Sequence, residues 1–240
     1  AGGSINHTLR TAETSATARS ELDALLAQLD IPASQRSAML GERAMGVTTF
    51  EQLRSGKIST EELGTSGGGW FFGNWLGRAY LNDDESKYLE LMDANINALD
   101  LPPKQREAKL QPLEDSLNNA GFRHMLTRLL VPALQSVGKA SDRESARIRV
   151  LRVLLAAEGT TAPDINKLDL PPEVTADPYV ANMQLQLNGS GDDIVVYSVG
   201  ANGIDDGGKF DQADGQPLDI GYGPLLEPAI VEGENPEPSQ

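Results

Sequence analysis

The strongest constraint on the fold is an apolar stripe of helical period between Phe122 and Ala157. Phe122, Met125, Leu129, Leu130, Leu134 and Val137 fall on one face, and Ile148, Leu151 and Leu155 continue it. Such spacing places the apolar side chains on one side of a helix and leaves Asp142 to Arg152 to supply the solvated side. Pro132 lies inside the stripe and is expected to kink or divide the helix, because its ring removes a backbone donor. Immediately after Gly159 the pattern changes. Pro163, Pro171, Pro172 and Pro178 punctuate an extended stretch, and Met183, Leu185 and Leu187 then alternate with Gln184, Gln186 and Asn188. Alternation is strand grammar. Asn188-Gly189-Ser190-Gly191 reads as a turn and Asp193 to Val199 as a second, β-branched strand, which together make a hairpin.

Upstream the grammar is helical. Leu22, Leu25, Leu26 and Leu29 recur at i, i+3, i+4 and i+7, and Ile31-Pro32 predicts the end of that helix. A second helix is expected over about 33–45, and a short third one from Thr49 to Arg54 with Gly56 as its stop. Ser59 to Glu62 has capping-box spacing, and Gly64 to Gly69 reads as a flexible loop. Helical spacing resumes through Phe72, Trp75, Leu76 and Tyr80 and again through Tyr88, Met92, Ile96 and Leu99, with Asn82 to Glu85 as a possible new N-terminus. After Leu101-Pro102-Pro103 comes a charged helix carrying Leu110, Leu113 and Leu117. The fold class expected is therefore mainly α with a small C-terminal antiparallel β segment, an α+β protein. Its expected parts are a flexible lead-in over 1–19, a helical domain over 20–120, the long helix with the β segment over 121–223, and a disordered acidic tail over 224–240.

Composition limits the function. Hydrophobic residues make up 39% and aromatics 5%, which favours helices packed through Leu and Ala. No apolar run approaches the length needed to span a bilayer. With no cysteine there is no disulfide, thiolate ligand or cysteine nucleophile. The net charge is −15, and residues 160–240 carry −13 of it, with 15 acids against Lys167 and Lys209. This end repels nucleic-acid phosphates and anionic lipids, so neither is an expected partner; a protein partner is.

The chemistry concentrates after the hairpin. Asn202, Asp205, Asp206, Asp211, Asp214 and Asp219 are interspersed with Gly200, Gly203, Gly207 and Gly208. Calcium takes six to eight hard oxygen ligands, and glycines let a loop bend tightly enough to converge them. The acids lack the spacing of a helix–loop–helix calcium site. The same residue types also make turns without any ion, so both readings stand on the residues alone.

Residues 192–220, a strand ending in Tyr197-Ser198-Val199-Gly200, a Gly/Asp loop and then Leu218-Asp219-Ile220, resemble the C-terminal end of type II secretion major pseudopilins. That resemblance implies a long helix leading into a small antiparallel sheet, with calcium in the final loop as a structural cofactor. It puts Asn202 and Asp219 at the family's acidic loop positions and makes Asp205, Asp206, Asp211 and Asp214 further candidate ligands. Here about 120 residues of helical sequence precede the matching part, and position 202 carries an amide. The chain also resembles a group of uncharacterised bacterial envelope proteins through Leu130 to Leu134, Asp177-Pro178-Tyr179, Tyr197 to Gly200 and Asp205 to Gly208. The implied location is periplasmic, otherwise envelope-associated, or secreted.

Enzymatic readings are weaker. Gly64-Thr65-Ser66-Gly67-Gly68 fits G-x-S-x-G, but a nucleophile elbow needs a buried strand before it, and a polar helical turn stands there. Ser136 and Lys139 have S-x-x-K spacing without its companion motifs. His7 and His124 have no sequence-near metal partner. Asp83-Asp84-Glu85 reads as acids in a first helical turn. Trp70, Phe71, Phe72 and Trp75 form an aromatic cluster expected in a core, or on a partner surface if exposed. The expected function is a non-enzymatic envelope or secreted binding and structural protein with a calcium-stabilised end. The alternatives are a helical interaction scaffold without an ion and an unrecognised hydrolase.

Overall fold

The computed structural model describes residues 15–59, 62, 75–121, 123–157, 164–210 and 219–222. It is mainly helical with one small antiparallel sheet near the C-terminus. Helix α1 spans Ala16–Ala27, α2 Ile31–Arg54, α3 Trp75–Ala98, α4 Pro103–Asn118 and α5 Met125–Ala157, followed by a single turn, α6, at Pro172–Thr175. Strands β1 (Gln186–Asn188), β2 (Val195–Ser198) and β3 (Ile220–Tyr222) pair antiparallel in that order. No helix among these residues is long and apolar enough to cross a membrane.

Local chemistry explains the helix starts. The Ser15 side chain accepts the Ala18 N–H, and Asp30 accepts the Ala33 N–H. Pro32 therefore opens α2, occupying the first turn where its missing donor costs nothing. The chain does break between α1 and α2, as Ile31-Pro32 predicts. The break expected between residues 45 and 49 is absent, and α2 is one helix of 24 residues. Gly46 faces α3, and a Cβ there would collide with the Tyr88 ring. Thr48 and Thr49, inside this helix, bond back to the carbonyls of Ala44 and Met45. Nor does α3 restart at Asn82; it runs unbroken from Trp75 to Ala98.

Two apolar clusters carry most of the packing. Met39, Phe50, Leu53, Leu81, Tyr88, Met92 and Leu126 join α2, α3 and the start of α5. The second joins Leu26 of α1 and the Val150-to-Leu155 stretch of α5 to Val174, Leu185, Ile194, Val196 and Tyr222. The first helix thus packs on the C-terminal half of α5, in the core that the sheet completes, rather than on α2. An ion pair, Arg152 Nε to Asp23 at 2.7 Å, fixes the contact.

Helix α5 crosses the Pro132 position without dividing. Its front half is rotated from the predicted stripe: Leu126 is buried, whereas Leu129 and Val137 are 50% and 47% exposed. Asp84, fully buried in the middle of α3, sets that rotation. Its carboxyl group accepts the N–H groups of Leu126 (3.0 Å) and Thr127 (3.2 Å) and the Thr127 hydroxyl (2.6 Å). This is an N-cap supplied by a different helix, and it turns Leu126 and Thr127 inward.

In the sheet, Gln186 pairs with Tyr197 and Val196 with Tyr222. Side chains alternate across a strand. Val196 consequently faces the core on α5, while Tyr197 points to the opposite face, where the loop after β2 covers it.

Candidate functional site

Four of the six predicted ligand positions, Asn202, Asp205, Asp206 and Asp219, lie in or against the loop that follows β2. Asp211 and Asp214 lie outside the described residues. Asp219 precedes β3 and is only 1% exposed. It accepts the Gly208 N–H at 2.8 Å and the Asp206 N–H at 3.5 Å, and its own N–H donates to the Lys209 carbonyl. Gly208 has φ +77°, a left-handed conformation that presents its N–H to Asp219 and suits glycine. A Cβ at Gly208 would also press on Val195 and Tyr197.

The other side chains close the loop upon itself. Asp205 accepts the Tyr197 hydroxyl at 2.9 Å and the Gly207 N–H at 2.9 Å. Asn202 donates to Asp206 at 2.9 Å and accepts the Ile204 N–H at 3.0 Å. Tyr197 also receives the Asn188 side-chain amide from β1, and Phe210 meets its ring edge-on.

Electrostatics follow from this crowding. Burial pushes the Asp219 carboxyl above the usual carboxylate range, and the negative charges of Asp206 and Asp205 add to the push; the two backbone N–H groups oppose it. Burial first, then the Asp205 hydrogen bond, pushes the Tyr197 hydroxyl up to about 12. Three acids thus share one small region, one of them shielded from water.

As a calcium shell the described part has the right chemistry and an incomplete count. All its donors are hard oxygens. Yet Asp219 and Asp205 already accept the loop's own N–H groups, and no three acidic or histidine side chains among the described residues form an ion-holding group.

A residue that motif reading did not single out as a site anchors the loop's entry. Asp177 is 5% exposed and accepts the N–H of Tyr179 (2.8 Å), the hydroxyl of Ser198 (3.0 Å) and the N–H of Val199 (3.0 Å). The signal for it was Asp177-Pro178, since Asp side chains readily bond backbone two residues on.

Other sequence features separate in space. Asp83, Asp84 and Glu85 lie inside α3, not in its first turn, and serve three different partners: Arg123, the start of α5 and Arg54. Ser136 and Lys139 lie exposed along α5. Ser66, Trp70, Phe71, Phe72 and His7 lie outside the described residues. Trp75 is 76% exposed, against the core placement expected for the aromatic cluster. An open groove of about 640 Å³ runs along residues 182–187 and 164–166, with Asp164 the one ionisable residue among its described lining residues. The Asn166 N–H and Lys167 hold that carboxyl below the usual range.

No family model, curated protein or solved structure matches the chain.

Proposed function

We propose that this is a non-enzymatic binding and structural protein of the bacterial envelope, or a secreted one, whose pseudopilin-like C-terminal end is stabilised by calcium. The observation that carries the reading is Asp219, a carboxyl group only 1% exposed in contact with the loop that holds Asp205 and Asp206. A buried carboxyl group raised by burial and by two neighbouring acids is one that a divalent cation relieves. Oxygen donors of Asp205, Asp206, Asp219 and Asn202 belong to such a site, with Asp211 and Asp214 as the further acids. The ion's role is structural: it offsets converging charge in a loop held mainly by polar contacts. Envelope or secreted location rests on the sequence resemblance.

The test is a thermal melt of chelator-stripped protein with and without millimolar calcium, with magnesium as control. A ligand bound only by the folded state stabilises by about 2.7 kcal/mol at a hundredfold excess over its dissociation constant. Calcium should raise the melting temperature or slow proteolysis near Gly207, and Asp219→Ala should abolish the effect. Indifference to calcium in both assays overturns the reading.

A second reading, a helical interaction scaffold without an ion, draws support from Trp75 and its neighbour Leu76, which is 50% exposed. Aromatic side chains left in water at a helix start suit a protein partner. Calcium-independent behaviour of the loop is the result that favours it.

A further inference from the structure

Lys104 reaches the loop from a different element. It stands in the first turn of α4, directly after Pro102-Pro103, and its Nζ donates to the Asn202 carbonyl at 2.8 Å. The base of that reach is fixed. Two residues further along α4, Arg106 is only 9% exposed and makes two bonds to Asp142 of α5, at 2.6 and 2.7 Å. The loop makes room for the incoming ammonium at Gly203. That residue has φ +66°, and a Cβ on it would stand 2.5 Å from Lys104 Nζ and 3.2 Å from Cε. The Gly203 N–H bonds the Gly200 carbonyl, so Asn202 is held at the tip of the loop's first turn.

We infer that Lys104 is a built-in cationic latch, fastening the first turn of the acidic loop to the helical body through the Asn202 carbonyl. An ammonium offers three donors and a charge suited to a carbonyl in an acidic neighbourhood. Its reach across 98 residues of sequence ties the loop to the pinned α4–α5 pair. The latch is argued from the main-chain carbonyl of Asn202 and needs no metal. Loop order is therefore coupled to the position of α4.

The experiment is native-state hydrogen exchange on the full chain in the presence of chelator, comparing wild type, Lys104→Met and Lys209→Met. Lys209 belongs to the same loop, so its substitution removes the same charge without the reach from α4. Peptides covering 200–208 should exchange roughly two- to fivefold faster in Lys104→Met, the range for one solvent-exposed charged contact. Peptides from α3 should not change, which shows that the variant is folded. Lys209→Met should match wild type at the loop. Unchanged exchange in Lys104→Met overturns the latch, and so does equal acceleration in both variants, because charge alone would then explain the effect. Chelator removes calcium from every arm, so failure here leaves the calcium result standing, and the reverse also holds.

Discussion

Replacing Asp84 with alanine tests the most concentrated set of polar contacts in the helical part. The carboxyl group has no solvent exposure and accepts three donors at the start of α5, two of them backbone N–H groups. Losing a helix N-cap costs about 1 kcal/mol where water can replace it. Water cannot easily do so here, and each buried donor left without a partner costs about 1–3 kcal/mol. Asp84→Ala should therefore destabilise by about 3–5 kcal/mol, lowering the melting temperature by roughly 10 °C for a chain of this size. Urea unfolding monitored by circular dichroism measures it, with the slope checked so that a changed denatured state is not mistaken for lost stability. Thr127→Ala removes the shortest of the three contacts, and the double variant should be less destabilised than the sum by about 1 kcal/mol or more. A loss below 1 kcal/mol in Asp84→Ala, or strict additivity with Thr127→Ala, would refute the assignment of Asp84 as the cap of α5.

Two further outcomes follow from the packing of Tyr88. Gly46→Ala should destabilise by about 1–3 kcal/mol, because the added methyl meets the Tyr88 ring; an unchanged urea midpoint would mean that α2 and α3 do not approach so closely. Burial, with Glu42 nearby, pushes the Tyr88 hydroxyl up to about 12 from 10.0. The folded state thus keeps a proton that the unfolded state loses, so this contribution is complete below pH 10 and is lost as pH rises towards 12. Wild type should lose more stability across that window than Tyr88→Phe, by at most about 1.4 kcal/mol per pH unit; equal slopes would contradict it.

Periodicity made the element types readable, and tertiary contacts set the frames. The α5 stripe announced a long helix, but which residues face inward depended on Asp84, 42 residues away and invisible to any local pattern. Gly46 and two threonines weaken a helix intrinsically, yet α2 runs through them, with Gly46 packed against the Tyr88 ring. The hairpin was legible from alternation and Asn188-Gly189, though β1 begins at Gln186 rather than Met183. Met183 and Leu185 instead bond backbone to Asp177 and Thr175. At the candidate site, composition located the loop but not the pairing of Asp219 with Gly208. It gave no hint of Lys104 or of the role of Tyr197, because both depend on which elements the fold brings together.

The seat of α1 on the C-terminal half of α5 has a consequence for biosynthesis. Leu26 and Asp23 are made before all their partners: Val150 and Arg152 of α5 follow first, and Val196 and Tyr222, which complete the core around Leu26, follow last. At typical elongation rates of about 5–20 residues per second, the first helix waits roughly 10 to 40 s for its last partners. Until α5 is made the apolar side of this 12-residue helix has no native partner, and the core around Leu26 stays incomplete until Tyr222 follows. The nascent chain therefore carries an incomplete core open to chaperones, which closes only once Tyr222 has been made.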